Sequence, residues 1–173
     1  MPPFQLVPFG KHNIPDIAIT GVATRLDNQL SIRYEVSGDV GRILFPVLSI
    51  SPSRKDDLWK ATCFEFFLAI PDQPQYWEFN MSPSGDWNAY QMEAYRRIGF
   101  CEEISISHLP FQFALPNLEL SVNLSPLFRP TQPLHIGITA IIQTLDGMET
   151  YWTLAHPGPQ ADFHLRESFI LSL

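Results

Sequence analysis

A chain of 173 residues, with 45% hydrophobic and 17% charged side chains, is expected to fold as a single soluble domain spanning residues 1–173. Its formal net charge of −7, without a cluster of Lys and Arg, counts against a nucleic-acid partner. No run of 18 apolar residues is present, which excludes a transmembrane helix. We also expect no membrane partner. The N-terminal residues lack the pattern of a signal peptide, so we expect a cytoplasmic protein.

The first predicted elements form a β-hairpin. Residues 17–26 and 29–36 have the composition of strands, and they flank Asp27 and Asn28, a pair suited to a tight turn. The apolar run at residues 43–50 is the next predicted strand. Pro46 predicts that this strand lies at a sheet edge or contains a bulge, because proline has no backbone N–H to donate.

Three central strands follow at residues 62–70, 76–82 and 86–92, joined by connections of hairpin length. Further strands are predicted at 103–108, 118–124, 134–145 and 149–155, and the run at 134–145 has the alternating pattern of a half-buried strand. No stretch has a sustained helical period. Short strands separated by turn residues predict an all-β fold, namely a two-sheet antiparallel β-sandwich of jelly-roll or immunoglobulin-like architecture.

The alternation of side chains along the central strands predicts a polar face. If these strands are neighbours, then Glu65, Glu78 or Asn80, and Tyr90 share one side of the sheet, and Arg96 in the following loop is long enough to reach it. A carboxylate beside an arginine forms a stable ion pair. Two interpretations remain open: a structural bridge between Glu65 and Arg96, or a polar floor that binds sugar hydroxyls.

Aromatic side chains near the ends of predicted strands are the second candidate feature. Trp59, Trp87 and Trp152 hold such positions. An indole ring covers the C–H face of a sugar while neighbouring polar groups bind its hydroxyls. The alternative for each is packing in the core, which the alternation favours for Trp77 and Phe79.

The C-terminal segment holds three potential metal or haem ligands: His156, Asp162 and His164. Their spacing matches no strong metal motif, so no metal site is predicted. A haem would need an axial pair, such as Met81 or Met92 with one of these histidines, and no pattern defines that pairing. We therefore predict no cofactor.

Enzyme signatures are also missing from the sequence, which has no Gly-x-Ser-x-Gly elbow, phosphate-binding glycine loop or His-Glu-x-x-His. Glu65, Glu78 and Glu93 could supply two carboxylates for glycoside hydrolysis, but such spacings are common by chance. We expect no catalytic activity.

Three segments resemble the DOMON-like domain group, which is related to the family-9 carbohydrate-binding modules: LWKATCFEFFL, YWEFNMSPSGDWNAYQMEAYR and YWTLAHPGPQADFH. The resemblance covers most of residues 20–170. It implies a β-sandwich of about this length that binds a ligand, with sugars and haem as the ligand classes of the wider superfamily. The positions that match the pattern are Trp59, Glu65, Asn80, Trp87, Tyr90 and Arg96.

The prediction is a non-catalytic domain that binds a small-molecule ligand, a sugar, through an aromatic and polar cleft. Trp59, Trp87 or Trp152 would stack on the ring, while Glu65, Asn80, Tyr90 and Arg96 would supply polar contacts. Two alternatives are a haem-binding redox domain and a protein-interaction module.

Overall fold

The structure, a computed structural model, describes residues 3–95 and 101–173, which are mostly β-strands. Three short 3-10 turns occur at Val40–Arg42, Leu58–Lys60 and Arg166–Ser168. The strands are β1 (Pro3–Gln5), β2 (Val7–Pro8), β3 (Ile17–Leu26), β4 (Gln29–Gly38), β5 (Cys63–Ala69), β6 (Tyr76–Met81), β7 (Trp87–Met92), β8 (Cys101–Glu102), β9 (Phe111–Ala114), β10 (Asn117–Asn123), β11 (His135–Gln143), β12 (Glu149–Thr153) and β13 (Leu171–Ser172). No helix within the described ranges is long and apolar enough to cross a membrane.

These strands form two antiparallel sheets. The smaller sheet has the order β1-β3-β4-β10-β9, and the larger sheet has the order β2-β12-β11-β5-β6-β7-β8, with β13 beside β11. The predicted two-sheet antiparallel β-sandwich is therefore confirmed. The predicted opening hairpin is also present, because β3 and β4 pair from Leu26 and Gln29 outward and leave Asp27 and Asn28 as the turn. Asp27 has a φ of 54°, in the left-handed region that such tight turns use.

The core lies between the inner faces of the two sheets. Phe66 and Phe79 stack there with ring centroids 4.4 Å apart, and Trp77 is buried beside them, as the alternation predicts. The two sheets are also joined by a hydrogen bond, in which the buried Tyr34 hydroxyl on β4 donates to the backbone oxygen of Glu65 on β5 at 2.7 Å. Backbone pairing places β5, β6 and β7 side by side. One face of these strands packs in the core, and the outer face points away from the smaller sheet.

Two predicted strands are wrong. Residues 43–50 form no strand, and Ile43 makes an isolated β-bridge with Thr144. Pro46 prevents a longer ladder because it has no backbone N–H to donate. In residues 103–108 the backbone N–H of Glu103 donates to Ala89 on β7, but the backbone oxygens of Glu103 and Ile106 accept hydrogen bonds from the Arg54 guanidinium, and no strand forms. The short strands β1, β2, β8, β9 and β13 are not predicted by the sequence, because each is too short to show a clear alternation.

Candidate functional site

A line of polar side chains crosses the outer face of the larger sheet, and we call it the polar row. It consists of one residue from each of five adjacent strands, paired in register: Thr153 on β12, Thr139 on β11, Glu65 on β5, Asn80 on β6 and Asn88 on β7. Side chains opposite each other on neighbouring strands have Cβ atoms about 5 Å apart. The sheet therefore brings Glu65 and Asn80 together, as the alternation predicts, and adds three polar neighbours.

The carboxyl group of Glu65 lies at the centre of the polar row and is 2% exposed. Burial raises its pKa well above the ordinary value, and the neighbouring Glu78 raises it further. The hydroxyl of Thr139 donates to Oε2 of Glu65 at 3.1 Å and opposes this shift. Nδ2 of Asn80 donates a hydrogen bond to Oε1 of Glu78 at 2.9 Å. The raised pKa favours the neutral acid, which can both donate and accept a hydrogen bond.

Three oxygen atoms of the polar row have no hydrogen-bond partner within residues 3–95 and 101–173. They are Oε1 of Glu65, Oδ1 of Asn80 and Oγ1 of Thr153, and all three are buried. A buried polar atom without a partner costs about 1–3 kcal/mol, so buried polar groups are nearly always hydrogen-bonded. Oδ1 of Asn80 can only accept a hydrogen bond, whereas the Thr153 hydroxyl and the neutral Glu65 carboxyl group can donate or accept, so polar groups of a ligand or of water would stabilise all three.

Tyr90, the third residue predicted for this face, is hydrogen-bonded to Asp56. Asp56 lies in a loop that no sequence pattern connects with the site. Its hydroxyl donates to Oδ1 of Asp56 at 2.7 Å and accepts from Nδ2 of Asn88 at 3.0 Å. Burial and then the Asp56 carboxylate raise the pKa of Tyr90, so the hydroxyl keeps its proton. The Arg54 guanidinium donates to Oδ1 of Asn88 at 2.8 Å. These bonds hold the end of the polar row rigidly.

The four Trp side chains, all within the described ranges, are divided between the two faces of the larger sheet. Trp59 is half-buried on the outer face and meets the ring of Tyr90 edge-on, with centroids 6.1 Å apart. Trp87 and Trp152 are 5% and 3% exposed and belong to the core with Trp77. The structure therefore does not bring Trp87 and Trp152 to the polar row, because they point to the opposite side of their strands. Arg96 lies outside the described residues.

The C-terminal histidines lie apart from each other. His164 packs on Phe67 over the outer face, and its Nδ1 is 2.8 Å from the Tyr76 hydroxyl. His156 instead contacts the backbone oxygen of Val7, at 3.0 Å from Nε2. No group of three metal-ligating side chains is found within the described ranges. Of the two Met considered with them, Met81 faces the core, and Met92 lies in the outer-face cluster.

Comparison with known proteins adds information on the fold. No protein-family profile matches the sequence, and no curated protein sequence matches it. Among solved structures, one from Bacteroides uniformis, of a protein proposed to bind carbohydrate, is similar over 95% of this chain and 84% of that one, with a TM-score of 0.66 and 12% identity. A family 9 carbohydrate-binding module from Caldicellulosiruptor kristjanssonii, in complex with cellotriose, is similar over 83% of this chain and 68% of that one, with a TM-score of 0.50 and 13% identity. The chain shares their β-sandwich fold.

Proposed function

We propose that this protein binds carbohydrate without catalysis and that the outer face of the larger sheet is its binding site. The observation that carries the proposal is the set of three buried oxygens without partners, on Glu65, Asn80 and Thr153. Sugars present many hydroxyl groups at short intervals, so one ligand could serve several of these buried atoms once the side chains that cover them move aside. Water molecules could serve each acceptor singly, and the experiment below distinguishes the two cases.

The polar row supplies the groups that such a ligand needs. Acceptors on Glu65 and Asn80 lie on adjacent strands, about 5 Å apart at their Cβ atoms, and Thr153 lies two strands from Glu65. Trp59 stands at the edge of this face with part of its ring exposed, and we assign to it the stacking role that the sequence also suggested for Trp87 and Trp152. Arg96 is proposed to donate to the ligand from the following loop.

Both similar structures support the choice of carbohydrate, since one is described as a proposed carbohydrate-binding protein and the other holds cellotriose. The resemblance of the central segments to the DOMON-like group also supports the proposal, because it implies a ligand-binding β-sandwich with sugars as one ligand class. Cellotriose is therefore the first ligand to test, followed by oligosaccharides with other linkages. A non-catalytic role predicts that the protein leaves each of them intact.

The test is calorimetric titration of cellotriose into the wild type and the Thr153→Val variant. Oγ1 of Thr153 has no partner within the described residues, so removing it breaks no protein hydrogen bond found there. We expect stability to be unchanged or higher and affinity to fall about five-fold, the equivalent of one hydrogen bond of about 1 kcal/mol.

The matched control is Thr150→Val on the same strand. Its hydroxyl faces the core and accepts from Nε1 of Trp152 at 2.9 Å, so this variant should lose stability and keep its affinity. Equal affinities of the wild type and Thr153→Val would show that the polar row is not the site. Failure of the wild type to bind any oligosaccharide would show that the function is different.

A further inference from the structure

A separate depression of about 780 Å³ is lined by the outer face of the smaller sheet and by residues outside that sheet, including Pro52, Gly85, Trp87 and His108. Its floor is made of side chains from the four adjacent strands β3, β4, β10 and β9. Along each strand these outward side chains alternate with inward side chains that pack toward the core. The floor residues that matter here are Thr24, Ser31, Arg33, Gln112, Glu119 and Ser121. None of the residues that line the depression belongs to the polar row. The depression is therefore built from different residues than the site described above.

The register of the smaller sheet arranges these floor residues in two lines. Thr24, Ser31 and Ser121 are paired in one line across β3, β4 and β10. The other line runs from Val22 through Arg33 and Glu119 to Gln112 and so reaches β9. Four strands at a spacing of about 4.8 Å span roughly 14 Å. The depression thus has room for a short linear chain rather than a single ring.

The chemistry of the floor is that of a surface for a neutral, hydroxylated ligand. Ser31 and Ser121 place their hydroxyl oxygens 3.4 Å apart, and Nε2 of Gln29 donates to Oγ of Ser121 at 2.8 Å. The positive charge of Arg33 is balanced by Glu35, with Nη2 of Arg33 3.0 Å from Oε2 of Glu35. A phosphate polymer would need uncompensated Lys and Arg, and an acidic partner would need the same.

The pairing of the strands argues against an extended peptide as the occupant. An added peptide strand needs the unpaired N–H and C=O groups of a sheet edge. Strands β3, β4 and β10, which form most of the floor, are each paired on both sides in the smaller sheet. The floor therefore offers side chains and not backbone groups, and its hydroxyl and amide groups lie among a lining that is largely apolar. Apolar contacts are available from Val22 and from Phe111 at the wall.

We propose that this depression is a second carbohydrate site, which binds a short, uncharged oligosaccharide chain lying across the strands of the smaller sheet. The six floor residues named above are exposed or half-buried, so a ligand can reach them without displacing protein. The volume lies within the range of ordinary ligand pockets, roughly 300–1,000 Å³. The site is independent of the polar row, so either can be refuted while the other stands.

The test is an amide chemical-shift titration of the wild type with cellotriose and with xylo-, malto- and chito-oligosaccharides. We expect saturable shifts at the amides of Ser31, Gln112 and Ser121 with at least one of these chains. The double variant Ser31→Ala with Ser121→Ala should bind that chain about 25-fold more weakly at this site, because it loses two hydroxyl groups, each equivalent to about five-fold in affinity.

The matched control is Thr20→Ala, which removes an outward hydroxyl of β3 that does not line the depression and should leave these shifts unchanged. Shifts confined to residues of the polar row, or equal binding by the double variant, would overturn the proposal. Shifts at the smaller sheet that survive Thr153→Val would support it even if the polar row proves not to bind sugar.

Discussion

Replacing Glu65 by Gln tests the electrostatics of the polar row. Burial and the neighbouring Glu78 raise the pKa of Glu65 well above its ordinary value of 4.5. The unfolded chain releases this proton near the ordinary value, so at higher pH the folded state binds more protons than the unfolded state. The contribution of Glu65 to the free energy of unfolding therefore falls as pH rises, through the window between 4.5 and the raised pKa of the folded state.

Within that window one proton changes the free energy of unfolding by at most about 1.4 kcal/mol per pH unit. Glu65→Gln cannot ionise, so we expect it to become steadily more stable relative to the wild type as pH rises above the ordinary value. Urea unfolding at a series of pH values from about 4 to about 8 measures this difference. Glu119→Gln, made at an exposed position of the smaller sheet, controls for the change in net charge. A difference in unfolding free energy between wild type and Glu65→Gln that stays constant across the series would refute the reasoning.

Two further predictions concern the packing that supports this face. Tyr34→Phe removes the hydrogen bond that joins the two sheets at the Glu65 backbone oxygen and should lower the free energy of unfolding by about 1–2 kcal/mol in urea; an unchanged midpoint would contradict the role given to this bond. Gly137→Ala places a Cβ 2.6 Å from the ring of Phe169 and should destabilise the fold by about 1–3 kcal/mol. The control Gly41→Ala meets no atom closer than 3.8 Å, so equal effects of the two alanines would argue against a steric cause.

The sequence was sufficient to place Glu65, Asn80 and Tyr90 on one face, because their strands are consecutive hairpins and alternation assigns each side chain. It was not sufficient to bring Thr153 and Asp56 to the same face. Thr153 reaches it through the pairing of β5 with β11 and of β11 with β12, and β5 and β11 are far apart in the chain. Asp56 reaches it from an irregular loop, for which no period exists.

The Trp side chains illustrate a second limit. In β12, Thr150 and Trp152 alternate with Tyr151 and Thr153, so each face has one threonine and one aromatic ring, and alternation cannot decide which faces the core. For Trp87 the alternation is informative, since it places this side chain on the other face of β7 from Asn88 and Tyr90. The position of Trp87 near a strand end nevertheless favoured a ligand contact in the sequence analysis. The core placement of both residues follows from the packing of the two sheets.

Carbohydrate binding is tested most directly by titrating the purified protein with cellotriose and the other oligosaccharides while following Trp fluorescence, in the wild type and in Trp59→Phe. Trp59 is the half-buried indole of the outer face, whereas Trp77, Trp87 and Trp152 belong to the core. We predict a saturable change with one class of oligosaccharide that is largely lost in Trp59→Phe. No change with any oligosaccharide, in a protein that unfolds cooperatively, would contradict the proposed function.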